Sequence, residues 1–132
     1  MLRAATAALR IMGPGLDLDA ISAVLGPPSH THRAGDRAKS GAVYRHDLWS
    51  LESPLGREEV PGAHLGWLAE RLRPHLDYLR GLKDGAALDL FCSITSDDQG
   101  GFALPADALA LPGELGIPIE VSLNLFRRDD EV

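Results

Sequence analysis

The sequence predicts an α+β fold, a two-layer sandwich in which a largely antiparallel or mixed sheet of about four to five strands carries helices on one face. Three observations lead there. Apolar residues alternate at period two in several segments, as half-buried strands require. Leucines recur every three or four residues across one long central segment, as an amphipathic helix requires. Polar residues fill the second face of at least two strands, so helices cover one side of the sheet and leave the other open.

In residues 4–12, Ala5, Ala7, Leu9 and Ile11 fall on one side and Thr6, Ala8 and Arg10 on the other, giving the first strand. Gly13-Pro14-Gly15 ends it, and Asp17 can cap a short helix whose Leu18, Ile21, Val24 and Leu25 share a face. Gly26 closes that helix and Pro27-Pro28 blocks its continuation. Residues 29–39 are polar and turn-like, with Gly35-Asp36 marking a turn before a second strand over 43–53. Trp49 and Leu51 share a face of that strand, joined by Val43 if no bulge intervenes.

Pro61 can open the longest helix, along which Leu65, Leu68, Leu72, Leu76, Leu79 and Leu82 form one stripe. Pro74 lies inside it and should kink or restart it, because proline lacks the amide donor and crowds the preceding turn. Leu88, Leu90, Cys92 and Ile94 alternate with Asp89, Phe91, Ser93 and Thr95 as the next strand. A loop over 96–101 leads to a short helix at 104–109, broken at Pro112-Gly113. Ile117, Ile119, Val121, Leu123 and Leu125 then define the last strand. Residues 16–21 and 104–109 echo one another weakly, which would make the order strand-helix-strand, long helix, strand-helix-strand.

A chain of 132 residues is long enough to bury a core without disulfides, so residues 1–132 are expected to form a single domain, with 127–132 a frayed acidic tail. The net charge of −6 disfavours a broad nucleic-acid surface, which would need several cations on phosphates. Cys92 is the sole cysteine; no internal disulfide can form, and a reducing, cytoplasmic setting is the simplest reading. Arg10 interrupts the apolar start of the chain, which argues against a signal peptide, and no run reaches the roughly 18 apolar residues that span a bilayer.

Several landmarks together resemble a bacterial family catalogued as domain of unknown function 4279. They are Leu9-Arg10-Ile11 closing a strand, an Asp-led helix ending in Leu25-Gly26-Pro27-Pro28-Ser29, and Gly35-Asp36. Leu48-Trp49-Ser50-Leu51-Glu52-Ser53, the Leu-rich helix and Gly100-Gly101-Phe102-Ala103-Leu104 complete the set, so the resemblance covers nearly the whole chain. It implies a compact bacterial domain and brings no activity, substrate or catalytic residue.

Candidate chemistry concentrates between His30 and His46. Arg33, Arg37, Lys39 and Arg45 stand there against Asp36 alone, a basic segment in an acidic chain that suits an anionic ligand or an acidic partner surface. His30-x-His32 points two imidazoles to one side of an extended segment, with His46 or Asp36 as a third ligand for zinc or another divalent metal. His64 and His75, eleven residues apart on the long helix, lie roughly 16 Å from one another and cannot share an ion. Ser50 and Ser53 lie near His46 and Asp47, yet no Gly-x-Ser-x-Gly elbow surrounds either. Gly13-Pro14-Gly15 and Gly100-Gly101 lack the spacing of a phosphate loop, and Asp97-Asp98 lacks the alternating ligands of a calcium site.

The open sheet face is expected to carry Arg10, Tyr44, His46, Asp89, Phe91, Glu120, Asn124 and Phe126. Aromatic rings among polar groups suit either a homodimer seam or a ligand platform. The resulting expectation is a noncatalytic module that binds a protein or a small anion through Arg33, Arg37, Lys39, Arg45, Tyr44 and Phe91, with no cofactor and no membrane. The alternative is a small metal-dependent hydrolase using His30, His32 and His46.

Overall fold

The computed structural model describes residues 2–97 and 99–126. Strand β1 (Leu2–Gly13) is followed by α1 (Leu18–Leu25), β2 (His30–His32), β3 (Asp47–Glu52) and α2 (Pro61–Leu72). A single 3-10 turn over Arg73–His75 leads into α3 (Leu76–Leu82), then β4 (Ala87–Asp97), α4 (Ala106–Leu115) and β5 (Ile119–Phe126). The strands form one mixed sheet in the order β2-β3-β1-β4-β5. β1 is antiparallel to both β3 and β4, β2 is antiparallel to β3, and β5 runs parallel to β4. The expected α+β sheet with helices on one face is therefore present.

Its core follows from the alternation. Ala7, Leu9 and Ile11 of β1, Trp49 and Leu51 of β3, and Leu88, Leu90, Cys92 and Ile94 of β4 are all buried in one cluster, and Ala5 of β1 is buried as well. Against them pack Ile21 and Leu25 of α1, Leu65, Leu68 and Leu72 of α2, Leu79 of α3, and Leu111 and Leu115 of α4. Each fully buried leucine contributes about 1.5–3 kcal/mol relative to an exposed one. Because the stripe of α2 and α3 supplies four of these leucines, it is the main cover of the sheet.

Local chemistry sets the helix ends. Asp17 accepts from the amide of Ala20 and caps α1, as its position before the apolar repeat predicts. The far end of α1 is tied down from another element, since the Arg71 guanidinium donates to the Leu25 carbonyl. Pro74 converts one turn of the long helix to 3-10 geometry and splits α2 from α3. Gly116 stands in the left-handed region at φ 66°, and the amides of Gly116 and Ile117 bond back to Gly113 and Pro112, closing α4 in a Schellman arrangement.

Four sequence expectations need correction. The polar stretch 29–39 contains β2, which pairs His30 with Ser50 and His32 with Leu48; three residues are too few to show a period. The second strand starts at Asp47 rather than at 43, because residues 35–44 fold into a separate small hairpin. The third concerns α4, which runs through Pro112 and Gly113 to Leu115, held by burial of Ala108, Leu111, Pro112 and Leu115 against the core. Finally, the two halves are only loosely similar. In each, a strand and a helix lead to a parallel strand, but β3 is inserted between β1 and β2, whereas β5 lies directly beside β4. The tail at 127–132 and Asp98 lie outside the described residues.

Among the described residues no helix is long and apolar enough to cross a membrane.

Candidate anion-binding groove

The hairpin over 35–44 is built by local backbone bonds. Tyr44 donates to the Asp36 carbonyl at 3.0 Å, Gly35 to the Tyr44 carbonyl at 2.9 Å and Ala38 to the Ala42 carbonyl at 2.8 Å. Gly41, at φ 88°, makes the reversal at the tip that a side chain would disfavour. Lys39 and Ser40 therefore sit at the turn, and Arg37 bridges to Val43 across it.

Tyr44 fastens this hairpin to the sheet edge. Its ring stacks on His32 with centroids 3.5 Å apart and planes 7° from parallel, while His30 meets His32 edge-on at 5.8 Å. The result is an open groove of about 730 Å³ whose walls include His30, His32, Asp36, Arg37, Lys39 and Tyr44. A second groove shares His30, His32 and Tyr44 with the first and is lined besides by Arg10, Met12, Arg45, His46, Asp47 and Leu48. Nδ1 of His32, enclosed beside Tyr44, has no hydrogen-bond partner among the described residues.

Asp47 holds the frame. Its buried carboxylate accepts from the amides of Leu16 and Ala34 at 2.9 and 2.8 Å, and from Arg33 Nη1 at 2.9 Å. The Ala34 amide above all, then the Arg33 guanidinium and the Leu16 amide, hold this carboxyl below the usual carboxylate range against the opposing effect of desolvation. One side chain thus ties the loop before α1 to the start of the hairpin. Arg33 also donates to the Leu16 carbonyl at 2.6 Å, and Asp36 accepts from the Arg33 amide at 2.8 Å.

The six residues that sequence reasoning assigned to binding therefore separate. Arg37, Lys39 and Tyr44 meet in the first groove, and Tyr44 and Arg45 in the second. Arg33 is committed to Asp47, and Phe91 lines neither groove. Phe91 instead lies under Arg10, whose guanidinium stands 4.2 Å from the ring centroid and pairs with Asp89 through bonds of 2.8 and 2.6 Å. Those Asp89 bonds raise the Arg10 pKa above its ordinary value. Among the described residues, Arg37, Lys39 and Arg45 have no carboxylate partner. Their charge remains open to a ligand.

The other chemistry resolves less favourably. His46 shares a groove with His30 and His32, yet among the described residues no three His, Cys, Asp or Glu side chains converge as a metal-ligand set. Ser53 meets His64 rather than His46, with Oγ and Nδ1 2.9 Å apart. Both residues are buried, and His64 Nε2 has no partner among the described residues, so no third group orients the ring as a nucleophile–base pair requires. Sequence reasoning missed the organising role of Asp47 and the Ser53–His64 contact. Asp47 reaches across 31, 14 and 13 residues to its three partners, which leaves no local signal.

A family model described as Domain of unknown function (DUF4279) matches residues 3–126. No curated protein and no solved structure matches the chain.

Proposed function

The chain belongs to the DUF4279 family, which carries no assigned activity, so we propose from the site itself that it is a noncatalytic binding domain whose hairpin groove takes a small anion. The observation that carries this reading is the set of Arg37 and Lys39 in one groove and Arg45 in the next, both grooves lined by the stacked His32–Tyr44 pair, with no ion pair to any of the three cations among the described residues. Three uncompensated cations in a chain of net charge −6 attract an anion locally while the rest of the surface repels it. Arg37 and Lys39 supply charge, and the Tyr44 ring supplies a flat apolar wall against which a ligand can lie. The openness of the groove suits recognition more than reaction, since it does not exclude water. A cytoplasmic setting and the buried, free Cys92 accord with this role.

A thermal-shift titration with inorganic phosphate, pyrophosphate, sulfate and adenosine monophosphate tests the proposal. Ligand at about 100 times its dissociation constant stabilises by about 2.7 kcal/mol, a rise of several degrees in a domain of this length. The shift is expected for at least one anion, and Arg37→Glu with Lys39→Glu should remove it while Arg73→Glu, on the helical side, leaves it. Absence of a shift with every anion, or a shift that survives the groove substitutions, would overturn the assignment.

A further inference from the structure

We propose that two copies of this chain associate through the free edge of β5, pairing antiparallel about Leu123 to make one continuous sheet. The two edges of the sheet are finished differently. β2 is three residues long, follows two prolines and lies against the 35–44 hairpin, all devices that discourage strand addition. β5 is eight residues long and holds one charged residue, Glu120. It has no proline within it and no register shift against β4.

Its apolar face is also left uncovered by the described residues. Val121 and Leu123 stand opposite Cys92 and Ile94 and so point to the helix side of the sheet, as does Leu125. Yet they are 41%, 52% and 60% exposed, whereas Cys92 and Ile94 are fully buried. The helices cover β1 and β4 and stop short of β5. A row of exposed large apolar side chains beside an unpaired strand edge marks an interaction surface.

The pattern of β5 is self-complementary. Leu90 donates to the Pro118 carbonyl, so the even-numbered residues of β5 direct their amide and carbonyl groups at β4 and the odd-numbered ones direct theirs outward. An antiparallel copy centred on Leu123 places Leu123 opposite itself and Val121 opposite Leu125. These are the residues whose backbone groups face outward, so they form hydrogen-bonded pairs. Each exposed apolar side chain then meets another on the helix side, and Ser122 meets Asn124 on the open side. Glu120 falls opposite position 126, which keeps the two like charges apart. A different partner strand would have to reproduce this spacing of apolar and short polar residues. The second copy already has it.

Sedimentation velocity of the full chain over a wide concentration range, combined with amide hydrogen exchange, tests the pairing. A concentration-dependent dimer is expected, with the amides of Val121, Leu123 and Leu125 protected in the dimer and exposed in the monomer. Ser122 and Asn124, bonded toward β4, should be protected in both. Leu123→Lys sets two cations opposite one another at a half-exposed position that the fold does not need, and should weaken association by about tenfold or more without changing the circular dichroism. A monomer at every concentration would overturn the proposal. So would a dimer that leaves the odd-numbered amides exchanging freely, or one unaffected by Leu123→Lys, since either would place the contact on another face.

Discussion

Replacing Arg10 by methionine should destabilise the protein more than replacing Arg10 and Asp89 together. The Asp89 side chain is 7% exposed and Arg10 27%, and their two bonds cross between adjacent strands on the face away from the helices. Removing one partner from a fully buried pair costs about 3–5 kcal/mol, because the other charge is left uncompensated. The part-exposed guanidinium lowers that figure to about 2–3 kcal/mol, and loss of its contact with the Phe91 ring adds about 0.5–1 kcal/mol. A total near 3 kcal/mol corresponds to a fall of about 10 °C in the thermal midpoint for a domain of this length. Replacing both residues, as in Arg10→Met with Asp89→Leu, removes the desolvated carboxylate as well and should return to within about 1 kcal/mol of the parent. Urea unfolding of the parent, both single variants and the double variant gives the coupling from the midpoints, provided the slopes agree. Loss of less than about 0.5 kcal/mol in Arg10→Met, or strict additivity in the double variant, would mean that the two charges do not depend on each other.

Two further outcomes follow from groups whose pKa the fold displaces. Asp47 has a folded-state pKa below its ordinary value, so it stabilises the protein at neutral pH and that contribution is lost as pH falls below about 4. Asp47→Asn should therefore be less stable than the parent at pH 7, with the gap narrowing in acid; a gap independent of pH would remove the carboxylate's role. Burial pushes the Cys92 thiol up to about 11, so almost no thiolate forms near pH 8. A thiol reagent at pH 8 should label Cys92 only after denaturation, and rapid labelling of the native protein would contradict its burial.

Most of the elements could be read from the chain because each is a local periodicity. The leucine stripe from Leu65 to Leu82, its interruption at Pro74 and the Asp17 cap all depend on residues within a turn or two of each other. Alternation likewise exposes β1, β4 and β5 directly. The misreadings fall where longer-range contacts prevail. α4 survives Pro112 because its apolar side is buried against the core, and β2 exists only because β3 returns beside it.

The basic segment was visible as a composition, since an excess of Arg and Lys between His30 and His46 needs no geometry to be counted. Local pattern along the chain is enough to place most of the elements, the apolar face of each and the segment that holds the positive charge. Only the folded chain decides which cations are paired: Arg33 with Asp47 and Arg10 with Asp89, while Arg37, Lys39 and Arg45 have no carboxylate partner among the described residues. It also decided that β5 is an edge whose leucines lie beyond the helices. Periodicity is written in neighbours along the chain, whereas pairing and burial depend on residues tens of positions away that meet only when the sheet closes its order.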